Sequence, residues 1–186
     1  MGSRSGIIEV LTADHRRIQR LVDRIRCSPP GGGRRKTLVE ELGTRLVRHF
    51  AVEREYLCPA LRRYLPDGGT HAEGRLAEYR EIEALLILLE AREPDDERFG
   101  DLLVSVVARV TEHVVVEEQL LFPRLQGVCP ADVLQELESK ACGAEPSAPT
   151  RPRAGAPGSA PTGRTAAPVR GPWDHLRDAV SRRGRH

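Results

Sequence analysis

The sequence has no Cys-x-x-Cys pair: its four cysteines, Cys27, Cys58, Cys129 and Cys142, lie far apart. That spacing argues against a thiolate zinc site and against a disulfide framework, and leaves unpaired thiols in a reducing cytoplasm as the expectation. No N-terminal stretch has the basic, apolar, small-residue order of a signal peptide. No run approaches the roughly 18 apolar residues that a membrane span needs. The expected location is therefore cytoplasmic, with no transmembrane segment. Nor is the body of the chain basic. Residues 1–150 carry 21 Lys+Arg against 25 Asp+Glu, a net −4, whereas residues 151–186 carry 8 Arg against 2 Asp, a net +6. A mildly acidic body is a poor nucleic-acid binder on charge, and no nucleic-acid partner is expected. Residues 143–172 lack large apolar side chains and consist mainly of Pro, Ala, Gly, Ser and Thr, too little to offset the entropy of ordering.

What is present is a repeat at an offset of 64 residues. HFAVEREYLCPAL from His49 aligns with HVVVEEQLLFPRL from His113, pairing His49 with His113, Glu53 with Glu117, Leu57 with Leu121 and Pro59 with Pro123. Upstream, ADHRRIQRLV from Ala13 aligns with AEYREIEALL from Ala77, so that His15 meets Tyr79. The chain reads as a duplicated helical hairpin.

Apolar residues at intervals of three and four predict four long helices. The first covers about residues 6–26, with Ile8, Leu11, His15, Ile18, Val22 and Ile25 inward, and Ser28-Pro-Pro-Gly-Gly-Gly ends it. The second covers about 34–64, with Leu38, Leu42, Leu46, His49, Glu53, Leu57 and Ala60 inward; Pro59, lacking an amide donor, is expected to kink or shorten its last turns. Pro66-Asp-Gly-Gly is the predicted loop between halves, and Thr70 with Glu73 reads as a capping box opening the third helix, which runs to about residue 92 with Leu76, Tyr79, Ile82, Leu86 and Leu89 inward. The fourth covers about 96–125, with Phe99, Leu103, Val106, Val110, His113, Glu117 and Leu120 inward; its 3.6-residue period overrides the strand propensity of its valines. The fold class expected is all-α, an up-down-up-down four-helix bundle over residues 1–130, with a short accessory helix over 131–142, a disordered linker over 143–172 and a basic amphipathic segment over 173–186. In that last segment Trp173, Leu176 and Val180 share one face. It could dock on a partner, on the body or on an anionic surface, or remain a solvated terminus.

Polar residues interrupt these apolar stripes at His15, at His49 with Glu53, at Tyr79, and at His113 with Glu117. Within each His-x-x-x-Glu pair the two side chains project into the same space one turn apart. A buried carboxylate and imidazole are costly unless paired or bound to metal. One inward histidine would be an ordinary hydrogen-bonded core residue; two matched His–Glu pairs, with a third His and a Tyr on the partner helices, point to a metal site. Nitrogen and oxygen donors without a thiolate favour iron or manganese. Two carboxylates facing each other across a bundle can bridge two cations. One iron would then take His15 and His49, and the other Tyr79 and His113, with Glu53 and Glu117 between them. Glu55 and Glu118 fall off the stripes and are expected to be solvated, and Cys58 is expected to serve packing.

HFAVEREYLCPAL, HVVVEEQLLFPRL and DHRRI resemble the hemerythrin-like, HHE cation-binding family of four-helix bundles, over roughly residues 7–127. The resemblance implies two non-haem iron ions, oxo- or hydroxo-bridged, with His15, His49, Glu53, His113 and Glu117 as ligands and the two carboxylates bridging. The third helix departs from the family. Oxygen-carrying members have two histidines there, where this chain has Arg75 and Tyr79. Arg75 cannot ligate, because its guanidinium stays protonated. His71 is the other metal candidate on that helix, at its first position, with Ile7 as its repeat partner. Tyr79 is either a phenolate ligand or a buried phenol hydrogen-bonded to a bridging Glu. With one helix short of a histidine, the expected function is reaction with hydrogen peroxide, dioxygen or nitric oxide, as a catalase-like or nitric-oxide-reducing di-iron oxidoreductase in a stress response. The alternative is a non-enzymatic iron or oxygen sensor that signals through its tail.

Overall fold

The computed structural model describes residues 6–144, and all of them outside short turns are helical. Of the linker expected over 143–172, residues 143 and 144 are helical; the rest of it and the basic segment over 173–186, with Trp173, lie outside the described residues. The elements are α1 (Ile7–Arg26), α2 (Gly33–Val52), a π-turn (Glu53–Leu57), α3 (Cys58–Tyr64), α4 (Gly68–Glu90), α5 (Glu97–Val116), a second π-turn (Glu117–Leu121), α6 (Phe122–Val128) and α7 (Ala131–Ala144). The chain runs unbroken from α2 through its π-turn into α3, and likewise from α5 into α6. Short turns join these rods into an up-down-up-down four-helix bundle. In it α1 packs on α2, α4 on α5, and α3 and α2 on α4, while α7 lies against α1.

The two π-turns fall 64 residues apart, so the repeat seen in the sequence is a repeat of backbone geometry as well. In each the amide after the turn bonds to the carbonyl five residues back: Cys58 N–H to Glu53, and Phe122 N–H to Glu117. Two physical reasons converge on this position. Pro59 and Pro123 follow immediately, and a proline has no amide to donate and crowds the carbonyl four residues before it; a widened turn accommodates both defects. Two successive steps of four residues would also drift about 80° around an ideal α-helix. The wide turn takes that drift back, so that His49, Glu53 and Leu57 all point inward, as do His113, Glu117 and Leu121.

The π-turn corrects one sequence expectation. Leu120 was placed on the inward stripe by a 3.6 period, but it is 44% exposed and Leu121 is buried in its stead. Pro59 does not cut the helix short, since the turn before it absorbs the missing bond and helix resumes to Tyr64. The third-helix start also differs: α4 begins at Gly68, and Thr70 and Glu73 are exposed within it rather than capping it. A Cβ at Gly68 would stand 1.8 Å from the Leu61 carbonyl oxygen, so only glycine lets the first turn of α4 sit directly on α3. Leu76 is half-buried, and the other inward residues of α4 are in the core.

The core is in two parts. One holds Ile18, Leu42, Leu46, Phe50, Ile82, Leu86, Phe99, Leu103 and Val106 toward one end of the bundle. The other holds Ile7, Leu11, Leu57, Leu61, Leu121, Phe122 and Leu125 toward the opposite end, and α7 completes it with Leu134 and Ala141. Cys58 lies in the first part, as its packing role requires. All four cysteines are free. Among the described residues no helix is long and apolar enough to cross a membrane.

Candidate metal centre

Between the two apolar halves lies a layer of His15, His49, Glu53, His113 and Glu117, each at most 1% exposed. One donor atom from each of the five lies within 4.8 Å of every other. α1 supplies His15, α2 and α5 supply His49 and His113 from their last turns, and each π-turn opens on its glutamate.

The three imidazoles turn the same nitrogen toward the centre. Nε2 of His49 lies 3.1 Å from Nε2 of His15 and 3.2 Å from Nε2 of His113. The carboxylates close the ring: Glu53 approaches His49 Nε2 at 2.9 Å and His113 Nε2 at 3.6 Å, and Glu117 approaches His15 and His113 Nε2 at 3.5 and 3.6 Å. None of the four carboxylate oxygens accepts a well-directed hydrogen bond.

The opposite nitrogen of each ring faces an acid, and each acid is braced by an arginine. Glu118 accepts from His15 Nδ1 at 3.0 Å and from Arg16 at 3.1 Å. Asp14 lies 3.3 Å from His49 Nδ1 and accepts from Arg45 at 3.1 Å. Glu78 lies 3.5 Å from His113 Nδ1 and 2.6 Å from Arg75. The last two imidazole contacts are looser than the first, at ion-pair rather than good hydrogen-bond geometry. A proton held at Nδ1 leaves the Nε2 lone pair free and aimed inward, the arrangement that metal-binding histidines use. Glu118 is thus not a solvated bystander, as its place off the stripe suggested; Glu55 is exposed as expected. Arg75 does not ligate but holds Glu78.

Without a cation this layer is electrostatically strained. Burial and then the charge of His49 push the His15 imidazole down to about 2. Burial works against charge on His49 too, but Glu53 and Asp14 prevail and raise it to about 9. Burial likewise opposes charge on His113, yet Glu117 and Glu53 hold it well above its ordinary value. Glu53 is disfavoured as an anion by burial but is held well below the usual range by His49 and His113. Burial and then the Glu53 charge drive Glu117 well above that range. Protonated imidazoles are standing where a bound cation would satisfy every donor at once, so the residues fit a metal ion.

The remaining sequence candidates separate. Tyr79 is fully buried beside the layer, stacked on Phe50 at 4.7 Å between centroids and 5.8 Å from the His113 ring. Its hydroxyl meets Cys58 Sγ at 4.0 Å. Burial, then the Glu53 and Glu117 carboxylates, hold the phenol well above its ordinary value. Arg54 stands 5.3 Å over the Tyr79 ring and donates two hydrogen bonds of 2.9 Å to the buried Glu83, a pair that helix periodicity did not single out. His71 is not brought to the layer. It sits at the start of α4 in a partly exposed cluster with Asp67 at 3.1 Å and Arg124 at 2.8 Å.

Set beside known proteins, the chain is similar in fold to a solved structure of a hemerythrin HHE cation-binding domain-containing protein from Mycobacterium kansasii. The TM-score is 0.67 with 24% identity, covering 76% of this chain and 86% of that one. No curated protein matches the chain. The Hemerythrin HHE cation binding domain family matches residues 6–125, the span that builds both π-turns and all five members of the polar layer. With that match over most of its length, the chain belongs to the hemerythrin HHE cation-binding domain family.

Proposed function

We propose that the polar layer holds two non-haem iron ions and that the protein reacts through them with a small oxidant or gas, hydrogen peroxide or nitric oxide. The observation that carries this reading is the convergence of three Nε2 atoms on two buried carboxylates, none of whose four oxygens accepts a well-directed hydrogen bond. Neutral imidazoles protonated at Nδ1 would point three lone pairs at one another, which a buried site tolerates only around positive charge. His15, His49 and His113 would each supply one nitrogen. Glu53 and Glu117, with two free oxygens apiece, would be shared between the ions, and Tyr79 would add a phenolate oxygen. Thiolate takes no part: burial and then the Glu53 charge push the Cys58 thiol up to about 12. A nitrogen–oxygen set of this kind suits iron or manganese. Iron there would supply reversible one-electron chemistry to the bound oxidant. The chain's own contribution is to fix ring orientation through Asp14, Glu78 and Glu118, and to seal the layer between apolar halves that exclude bulky substrates and bulk water.

The test is metal content and the optical spectrum of anaerobically reconstituted protein, before and after peroxide or nitric oxide. Two irons per chain are expected, and Glu53→Ala or Glu117→Ala should leave at most one tightly held. Tyr79→Phe should remove a visible charge-transfer band while the bundle stays folded. If both Glu→Ala variants retain two irons, the sharing of carboxylates is wrong; if neither oxidant is consumed, the reactive reading is wrong.

A further inference from the structure

The charged flanks of the two halves differ in sign. At an offset of 64, Asp14, Arg17, Arg45 and Arg48 correspond to Glu78, Glu81, Arg109 and Glu112. In the second half the one cation of the set meets two of its acids: Arg109 stands 3.6 Å from Glu81 and 3.7 Å from Glu112. The remaining acid, Glu78, is held by Arg75 at 2.6 Å. In the first half arginines stand where those two outer acids would be. Three cations then face one carboxylate, and Arg17 and Arg45 converge on the same Asp14 oxygen, Oδ1, at 3.6 and 3.1 Å.

These four side chains line a cleft where α1, α2 and α7 meet, with Ala141 of α7 in its wall and the buried His49 at its inner end. Arg48 is half-buried, and its Nε is shielded from solvent without a hydrogen-bond partner. A buried donor left unpaired is costly, and so is surplus guanidinium charge in a recess. The recess has a volume of about 20 Å³, room for one water-sized group.

We propose that this cleft binds a phosphate-type oxyanion, seated among Arg17, Arg45 and Arg48 with one oxygen in the recess. A guanidinium donates through a planar fork that matches the oxygens of such an ion. Three of them, carried on two helices, suit a tetrahedral anion with several acceptors better than a halide. The recess is too small for the whole ion, so the other oxygens lie at the mouth, where the Arg17 side chain is 49% exposed. Of the polar layer only His49 lines the cleft. The proposal therefore stands or falls apart from the reading of the layer as a metal centre.

Inorganic phosphate is the probe, exchanged for chloride at constant ionic strength around the full-length, metal-free protein. The amide shifts of Val10, Arg48 and Ala141 are followed, which leaves out any phosphate gathered by the basic residues 151–186. Saturable shifts are expected with phosphate and none with chloride. Arg17→Glu and Arg48→Glu, which install the acids of the other half, should each weaken binding by about tenfold or more, the loss of one charge-assisted hydrogen bond. Arg109→Glu, in the other half, should bind as the parent does. Arg17 is half exposed, so its variant keeps the fold whatever becomes of Arg48→Glu. A simple phosphomonoester titrated alongside separates a free ion from the terminal phosphate of a larger molecule, and saturable binding of either at these amides supports the proposal. Absence of saturable shifts in the parent, equal shifts with chloride, parental affinity in Arg17→Glu, or an equal loss in Arg109→Glu overturns it.

Discussion

Glu118 lies outside the metal-facing layer, yet removing it should weaken metal binding measurably. Its carboxylate accepts from His15 Nδ1 at 3.0 Å, and the His15 side chain is fully buried while that of Glu118 is 20% exposed. A hydrogen bond to a charged partner in such a setting contributes about 1.5–3 kcal/mol. Groups that hold a ligating histidine through its second nitrogen typically affect metal affinity by about 10–100-fold, which is the same magnitude. The other partner of Glu118 is Arg16, whose side chain is 55% exposed. A surface pair of that kind contributes about 0–1 kcal/mol. The two contacts therefore make opposite forecasts for two variants. Glu118→Ala should weaken metal binding by about 10–100-fold, and Arg16→Ala by less than about fivefold. Glu118→Gln should fall between, since an amide oxygen can still accept the Nδ1 proton but carries no charge. Competition with a chelator under anaerobic conditions measures the affinities, and thermal unfolding of the metal-free proteins separates ligand positioning from loss of fold. Wild-type affinity in Glu118→Ala, or equal losses in Glu118→Ala and Arg16→Ala, would refute the assignment of Glu118 to His15.

The π-turn gives a pair of neighbouring substitutions with unequal costs: Leu121→Ala should destabilise the fold by about 2–5 kcal/mol and Leu120→Ala by no more than about 0.5 kcal/mol. Urea unfolding decides between them, and the reverse order would mean that a regular 3.6 period runs through Glu117–Leu121. Metal loading should also release protons. At neutral pH the metal-free protein keeps His49, raised to about 9, and His113, raised well above its ordinary value, as imidazolium ions, while burial and the Glu53 charge make Glu117 harder to ionise. A cation that takes the two imidazoles expels about two protons. Because the pKa values are raised, protons compete more strongly as pH falls, so affinity should climb from pH 6 toward pH 9. Calorimetry in buffers of different ionisation heat counts the protons, and a count of zero at pH 7 contradicts the charge state given to the layer.

Most of the fold was legible because the apolar stripes are regular wherever the helix is regular. Ile8, Leu11, Ile18, Val22 and Ile25 are all buried, as the spacing on α1 requires. The layer was legible for the complementary reason: buried polar groups on an apolar stripe need a partner, and the repeat placed two such pairs at matched heights. Periodicity failed where the helix itself changes pitch. It put Leu120 inward by assuming one pitch from residue 96 to 125, although the steps 49–53–57 and 113–117–121, each followed two residues later by proline, already carried the signal of a widened turn. It also failed for contacts made between helices from the flank of a stripe. Asp14, Glu78 and Glu118 each sit one residue from an inward position, where a single-helix pattern reads a solvated charge; their targets are on other helices.

The repeat accounts for the architecture of the layer more completely than for its ligands. The residue pairs 49/113, 53/117 and 14/78 are chemically matched: imidazole, carboxylate, and an acid behind the imidazole. Among the pairs at which the halves diverge, two lie in contact. Position 15 is histidine and position 79 tyrosine; position 118 is glutamate and position 54 arginine. Glu118 reaches across to His15, and Arg54 reaches across to Tyr79. The two pairs differ in a chemically consistent sense: an anion stands behind an imidazole that must donate from Nδ1, and a cation over the electron-rich face of a phenol ring. Glu83, which holds Arg54, has the neutral Gln19 as its repeat partner, so the third member of the group differs as well. Phe50, packed on Tyr79, has Val114 as its counterpart beside His15. One half is thereby closed around an aromatic pair, and in the other a cleft between α1 and α5 reaches the His15 imidazole. The two ends of the repeat are thus made inequivalent by a handful of side chains, while both π-turns and both His–Glu pairs are alike in the two halves.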